Sequence, residues 1–134
     1  MKLLFICKHN RFRSKVAEAL FNKYAGPMHQ AKSAGVILDP LFPYVAASVK
    51  NVLRERGISM VVDEPSLVSQ DLLFWAEKII VVADNVDLSA FPPDKTERWS
   101  IADCSQDDLS AIELRVRDID GRVRDLLKTL TKHR

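Results

Sequence analysis

The first 26 residues constrain the fold more than any other part of the chain. Residues 3–6 form an uninterrupted apolar run, which is typical of a buried β-strand. Beyond a polar segment, apolar residues recur every three to four positions from Val16 to Tyr24, and this spacing predicts a helix that begins near Ser14. A Gly-Pro pair at Gly26 ends that helix. The chain is therefore expected to open with a strand, a loop and a helix in direct succession.

The loop between strand and helix carries a cysteine and an arginine separated by five residues: Cys7, Lys8, His9, Asn10, Arg11, Phe12, Arg13 and Ser14. Such a loop aims successive N–H groups and a helix N-terminus at one point, where an oxyanion can bind. The same field favours the thiolate form of Cys7, which predicts a nucleophile. Arg13 can offer a two-pronged donor to tetrahedral oxygens, and Ser14 can donate its hydroxyl to the sulfur. The alternative is a buried structural cysteine beside surface cations.

Length and composition indicate a single globular domain over residues 1–134. A hydrophobic content of 47% and a charged content of 28% exclude the disordered and fibrous classes. Seven lysines and arginines lie in the first 33 residues against one acid, Glu18, so the surroundings of the loop are electropositive. This field suits a small anion or a phosphorylated partner; no aromatic-basic motif points to nucleic acid. A solvated basic face without a partner is the alternative.

The two cysteines, Cys7 and Cys104, lie far apart and form no Cys-x-x-Cys pair. Neither a disulfide framework nor a metal site is therefore predicted, and no cofactor is expected. The apolar run at the N-terminus is broken at Lys8, which is too early for an export signal, and no segment reaches membrane-spanning length. We expect a cytoplasmic protein without a membrane partner.

The remaining elements follow from apolar patterns and turn residues. They are a strand over residues 29–33 ending in a Ser-Ala-Gly turn, a helix with an apolar stripe from Val45 to Leu53 that closes at Gly57, a short helix from Ser69, a strand over residues 79–83, a loop over residues 88–98, a strand over residues 99–102 and a long helix to Leu130. With right-handed crossovers, this order predicts an α/β fold: one three-layer domain whose four-stranded parallel sheet has helices on both faces.

Residues 7–14, with Asn10 at the fourth loop position and Val-Ala-Glu at residues 16–18, resemble the active-site loop of the low molecular weight protein tyrosine phosphatases. Thioredoxin-coupled arsenate reductases share that fold and loop, and the resemblance spans essentially the whole chain. It implies a phosphate-binding loop after the first strand, with substrate contacts from Lys8, His9, Asn10, Arg11, Phe12 and Ser14. It also implies that Ser33 hydrogen-bonds Asn10 and supports the loop.

The resemblance further implies a two-step mechanism through a phosphocysteine. Cys7 attacks the phosphoryl group while Arg13 and the loop amides bind its oxygens. The general acid is implied at Asp103, in the loop after the fourth strand, with Asp107 as the reserve candidate. The alternative for Asp103 is a helix-start carboxylate that complements the helix dipole.

Several positions depart from the family pattern or leave alternatives open. His9 stands where the family usually has glycine, and either adds charge at the mouth or tolerates the turn. Ser105 and Gln106 stand where aromatic residues often follow the acid. Cys104 replaces the usual proline and is either a resolving thiol for Cys7 or a buried unpaired cysteine.

Three further side chains have two readings each. Phe42 and Tyr44 line the rim of the cleft or fold onto the core, the second being favoured. Asp84 follows the third strand near the ligand crevice, although a cap or turn role is favoured.

The function that the resemblance implies is a metal-independent phosphomonoesterase acting on a phosphorylated protein, most directly on phosphotyrosine, or on a small aryl phosphate. The loop is also expected to bind phosphate, sulfate, vanadate and arsenate. One alternative is arsenate reduction, although residues 82–89 contain no cysteine for a disulfide relay. Another is a phospho-ligand binding module with weak turnover.

Overall fold

Strands and helices alternate along the chain. The computed structural model describes residues 1–60 and 62–132, without the side chains of residues 131 and 132. In chain order the elements are β1 (Lys2–Cys7), α1 (Arg13–Ala25), β2 (Gln30–Gly35), α2 (Ala47–Glu55), α3 (Gln70–Trp75), β3 (Lys78–Val82), a 3₁₀ turn (Leu88–Ala90), β4 (Thr96–Trp99) and α4 (Leu109–Lys132).

The four strands form one parallel sheet in the order β2-β1-β3-β4. The chain leaves β1 towards one edge and leaves β3 towards the other, so the carboxyl ends of β1 and β3 meet at a topological switch point. In open α/β sheets this is where ligands bind. The predicted fold class is confirmed, and Cys7, the last residue of β1, lies at that point.

Alternation along the central strands divides the core into two layers. Leu3 and Phe5 of β1 belong to one cluster with the buried sides of α1, α2 and α4, whereas Leu4 and Ile6 belong to a second cluster, into which α3 packs. All four residues are fully buried. Burial on both faces explains why these strands read as continuous apolar runs.

The long C-terminal helix packs beside α1 and α2 in the core cluster that covers one face of the sheet, rather than forming a coiled-coil seam. Its residues Ile112, Val116, Ile119 and Val123 are fully buried in the first cluster, although Leu109 at its start is 54% exposed. The predicted long helix is thus confirmed, apart from Leu109 as a core residue. In the described part of the chain, none of the helices is both long and apolar enough to span a bilayer.

Two strand boundaries differ from the sequence prediction. Strand β2 extends to Gly35, which pairs with Cys7, so Ser-Ala-Gly at residues 33–35 is strand and not a turn. The prediction of a strand over residues 99–102 is wrong, because β4 is Thr96–Trp99. The segment predicted as a loop, residues 88–98, contains the 3₁₀ turn and the first three residues of β4. Polar residues are tolerated in β4 because it is an edge strand, where Glu97 pairs with Lys78 at 3.2 Å.

Candidate active site

The loop of residues 8–12 joins the end of β1 to the first turn of α1. Cys7, 2% exposed, ends β1, and Arg13 begins α1. In the described part of the chain, the backbone N–H groups of residues 8–12 donate none of the hydrogen bonds made outside helices and strands. Backbone donors that serve no protein acceptor are available to an anion.

Asn10 holds the loop in its conformation. It is fully buried and has a left-handed backbone with φ of 54°, which asparagine tolerates better than most residues. Its Nδ2 donates to Ser14 Oγ at 2.7 Å and to Ser33 Oγ at 3.0 Å, and its Oδ1 accepts from Ser66 N at 2.8 Å. The side chain therefore braces the loop from three directions, including the predicted bond to Ser33.

The direction of these bonds orients the hydroxyl beside the candidate nucleophile. The Asn10 Nδ2 group can only donate, so Ser14 Oγ accepts from it and its own hydrogen is free to point at Cys7 Sγ, 2.9 Å away. A hydroxyl that donates to sulfur stabilises the thiolate. Ser33 likewise accepts from Asn10 and donates to Glu18 Oε1 at 2.6 Å, so the network ends on a carboxylate for which the sequence predicted no role in the loop.

The end of β2 packs directly beneath the loop. A Cβ added at Gly35 would lie 2.9 Å from three backbone atoms, Asn10 N, His9 C and Lys8 O. Beyond Gly35 the segment that follows β2 stays hydrogen-bonded to the end of β1, with Val36 N donating to Cys7 O at 3.2 Å. The approach is close enough that only glycine fits without moving the loop.

Arg13 connects the loop to the ends of β3 and β4. Its guanidinium is buried and donates from Nη1 to Ile101 O at 2.8 Å. The same Nη1 lies 3.6 Å from Asp84 Oδ1, and Nη2 lies 4.0 Å from Asp103 Oδ2. Asp84 does occupy a turn after β3, but its ion pair with Arg13 was not predicted. Two half-exposed carboxylates and a carbonyl thus fix the direction of the guanidinium.

These elements enclose a pocket of about 30 Å³. It is lined by Cys7, His9, Arg11, Phe12, Arg13, Asp103 and Gln106. Larger hollows of about 440 and 540 Å³ lie elsewhere, and neither is lined by Cys7 or Arg13. The small pocket brings together the predicted nucleophile, arginine and acid, and its size suits one small group rather than a whole ligand.

The other loop residues occupy distinct positions. Lys8 is exposed and does not line the pocket, and the Phe12 side chain packs into the core at 3% exposure, which leaves only its backbone for a substrate contact. His9 lines the pocket and bonds Ile37 O through Nδ1 at 3.1 Å. Arg11 lies on the rim, stacked 4.6 Å from the centre of the Phe42 ring.

The aromatic residues of the rim are on the surface. Phe42 and Tyr44 are 50% and 56% exposed, and Arg11 Nε donates to Tyr44 O at 3.1 Å. The favoured interpretation of both as residues folded onto the core is therefore wrong. Instead they flank the loop through Arg11.

Asp103 is set apart from the helix that follows it. Its Oδ1 accepts from Cys104 N at 2.9 Å, whereas the first turn of α4 is capped by Asp108, whose Oδ1 accepts from Ala111 N at 3.1 Å. The alternative of a helix-start carboxylate thus fits Asp108, not Asp103. Asp107, the reserve candidate, is exposed and does not line the pocket.

Cys104 is a half-buried free thiol. Burial raises the pKa of Cys104, and the carboxylates of Asp103 and Asp108 add to this effect, while the Arg115 guanidinium opposes it. A raised pKa lowers the thiolate fraction, which makes Cys104 a poorer attacking group than an exposed cysteine.

The sequence predicted no role in the site for two residues of this region, Glu18 and Gln106. Glu18 lies four residues after Ser14, so helical spacing could have placed both on one face of α1. Gln106 stands out in the sequence only as a departure from the aromatic residues that often follow the acid, and its place in the pocket is seen only in the fold.

Comparisons with known proteins agree with the fold. The thioredoxin-dependent arsenate reductase of Corynebacterium glutamicum superposes with a TM-score of 0.81 at 27% identity, covering 99% of this chain and 63% of that chain, so this chain spans less than two thirds of that protein. The low molecular weight protein tyrosine phosphatase of T. tengcongensis superposes with a TM-score of 0.84 at 25% identity, covering 96% and 99% of the two chains.

Sequence relatives lead to the same group of proteins. Arsenate reductase 2 of Staphylococcus epidermidis is 27% identical over 130 residues, which are 95% of this chain and 90% of that protein. The family model for low molecular weight phosphotyrosine protein phosphatase matches residues 2–134. The chain belongs to the low molecular weight phosphotyrosine protein phosphatase family.

Proposed function

We propose that the protein is a phosphomonoesterase, acting on protein phosphotyrosine or a small aryl phosphate through a phosphocysteine at Cys7. The observation that carries this proposal is the Ser14 hydroxyl, held by Asn10 so that it can donate to the sulfur, in a pocket that Arg13 and Asp103 also line. The family contains both phosphatases and arsenate reductases.

In the first half-reaction the Cys7 thiolate attacks phosphorus in line with the leaving oxygen. A sulfur–phosphorus bond forms as the phosphorus–oxygen bond breaks, and the carboxylic acid of Asp103 gives its proton to the departing oxygen. The Arg13 fork and the free loop amides bind the three other oxygens, whose charge is spread in the transition state. Because Arg13 is held at Ile101, its donors are oriented before substrate binds.

In the second half-reaction water hydrolyses the phosphocysteine. Asp103, now a carboxylate, takes a proton from the water as its oxygen bonds to phosphorus. The sulfur–phosphorus bond breaks, and the thiolate leaves with the hydrogen bond from Ser14. Phosphate departs, and Asp103 is protonated for the next cycle.

The electropositive loop and the exposed rim are consistent with a phosphorylated protein as substrate. Lys8 is an exposed residue of the loop. Phe42 stacks against Arg11 on the rim, where side chains that flank a phosphorylated residue can pack. The cytoplasmic location and the single domain over residues 1–134 stay predictions.

Arsenate reduction is the second candidate, favoured by the arsenate reductases among the relatives. The same loop suits arsenate, because arsenate has the shape and charge of phosphate. The chain has two cysteines, and neither lies within residues 82–89, the segment at the end of β3 where the thioredoxin-coupled relatives are expected to carry their relay cysteines. An external thiol would have to reduce the Cys7 adduct in such a reaction.

The test is hydrolysis of p-nitrophenyl phosphate in EDTA by wild type, Cys7→Ser, Arg13→Ala, Asp103→Asn and Asp107→Asn. We expect metal-independent turnover that Cys7→Ser abolishes, that Arg13→Ala and Asp103→Asn lower strongly, and that Asp107→Asn keeps. A wild type that binds vanadate without turnover would support the binding module instead. Thiol-dependent NADPH consumption with arsenate, in the absence of phosphatase activity, would support the reductase.

A further inference from the structure

Gln106 has an unusual hydrogen-bond environment in the loop before α4. Its Oε1 is buried and accepts no hydrogen bond, and in the described part of the chain it is the one buried side-chain nitrogen or oxygen without a partner. Its Nε2 donates to Cys104 O at 3.1 Å. The residue lines the small pocket together with Cys7 and Asp103. Buried polar atoms without partners are rare in native proteins, and some of them serve a catalytic role.

The contacts of the Gln106 amide determine which of its two terminal atoms is the oxygen. Exchanging Oε1 and Nε2 would set an oxygen against the Cys104 carbonyl, and two acceptors cannot bond each other. The backbone of Gln106 is anchored as well, because its carbonyl accepts from Ser48 Oγ at 2.7 Å. The unpaired group at the pocket is thus an acceptor on an anchored residue.

We propose that Gln106 Oε1 accepts one hydrogen of the water that hydrolyses the phosphocysteine, while Asp103 takes the other. This inference rests on the proposed phosphatase function. The oxygen of the water bonds to phosphorus, the proton goes to the Asp103 carboxylate, the hydrogen held by Gln106 stays on the new phosphate, and Cys7 leaves as thiolate. Two acceptors set the lone pair of the water towards phosphorus. The last torsion of a glutamine is soft, so Oε1 can turn to the water at small cost.

The chemistry of the two half-reactions assigns the acceptor to the second. In the first, the groups that enter the pocket are phosphate oxygens and a leaving oxygen, which are themselves acceptors and have no hydrogen for Gln106. In the second, water brings two hydrogens, and Asp103 can take only one of them. Loss of the Gln106 acceptor should therefore slow dephosphorylation and leave phosphorylation of Cys7 nearly unchanged.

The experiment is stopped-flow hydrolysis of p-nitrophenyl phosphate, which separates the rate constants of the two half-reactions. Gln106→Met has a side chain of similar size but removes both the acceptor oxygen and the hydrogen bond to Cys104 O. Gln106→Glu keeps an acceptor oxygen but loses that hydrogen bond. Gln70→Ala, at an exposed position that does not line the pocket, is the control. We expect Gln106→Met to lower dephosphorylation about tenfold, with phosphorylation changed less than about twofold, and Gln106→Glu to recover most of the loss.

Other outcomes overturn the inference in distinguishable ways. If Gln106→Met lowers both rate constants equally, the residue only supports the loop. If Gln106→Glu lowers the dephosphorylation rate as much as Gln106→Met, the hydrogen bond to Cys104 O is what dephosphorylation needs, and the acceptor oxygen is not. If the wild type forms no phosphocysteine, the proposed function fails and this inference fails with it.

Discussion

Replacing Asn10 by alanine should lower both the stability and the activity of the protein. Asn10 is fully buried and does not line the pocket, so the loss of activity would come through the residues that it holds in place. The substitution removes three hydrogen bonds, to Ser14, Ser33 and Ser66, each worth about 1 kcal/mol. It also places a Cβ-bearing residue without a compensating side chain at φ of 54°, at a cost of about 1 kcal/mol. The expected loss is about 4 kcal/mol, a large share of the stability of a domain of this size.

Asn10→Gly separates the two contributions. Glycine loses the same three hydrogen bonds but adopts a positive φ freely, so its loss should be about 3 kcal/mol. Asn51→Ala, at an exposed position in α2, is the control and should change stability by less than about 0.5 kcal/mol.

The assay is urea unfolding followed by tryptophan fluorescence, which Trp75 and Trp99 provide, with turnover of p-nitrophenyl phosphate measured beside it. We expect the midpoint to fall in the order wild type, glycine, alanine, and kcat to fall at least tenfold in both variants, because Ser14 loses the donor that orients it. A loss below about 1 kcal/mol with unchanged kcat would refute the bracing role of Asn10. Equal losses for glycine and alanine would refute the cost assigned to φ.

Three further predictions follow from the same geometry. Gly35→Ala should lower the free energy of unfolding by about 1–3 kcal/mol and weaken vanadate inhibition, because its Cβ would lie 2.9 Å from the loop backbone. The control is Gly121→Ala in α4, whose Cβ meets nothing within 4 Å and which should raise the free energy of unfolding by about 0.5–1 kcal/mol. Similar urea midpoints for the two variants would contradict this prediction. Arg13→Lys should lower kcat/KM about 10²-fold or more, because the compact ammonium group of lysine cannot replace a planar fork that binds Ile101 O and two phosphate oxygens together. Near-wild-type kinetics would show that the fork is unnecessary. Burial raises the pKa of Cys104 above its ordinary value of 9.0, so in Cys7→Ser the rate of iodoacetamide labelling should rise with pH with a midpoint above 9. The stability contributed by the neutral thiol is present below pH 9 and should be lost as the pH rises through that midpoint; a labelling midpoint below 9 would contradict the prediction.

The sheet and the loop could be predicted because their signals are local. An apolar run, a cysteine and an arginine at fixed spacing, and a helix period follow one another within 24 residues, and each matches the structure. The strand β3 was equally clear because it is buried on both faces. The apolar pattern is weaker in a strand that is buried on one side only, such as β4. Its start was predicted three residues too late, because Ile101, which is buried just beyond the strand, resembles a strand residue.

The contacts that shape the site could not be read from sequence, because they join distant segments. The Arg13 bond to Ile101 spans 88 residues, and the Asn10 bond to Ser66 spans 56. The stacking of Arg11 on Phe42 likewise depends on the path of a loop without regular structure. The sequence marked Gln106 only as a departure from the family pattern, and the unpaired state of its Oε1 can be seen only when every neighbouring donor is in place.

The most direct test of a nucleophilic Cys7 is to trap the covalent intermediate. We expect Asp103→Asn to slow hydrolysis of the phosphocysteine, because the variant lacks the proposed general base. Rapid acid quenching of this variant with p-nitrophenyl phosphate, followed by mass spectrometry, should find a phosphate on the peptide that contains Cys7 and none on the Cys104 peptide. Turnover by the wild type, with an unmodified Cys7 peptide at every quench time in the variant, would contradict the account.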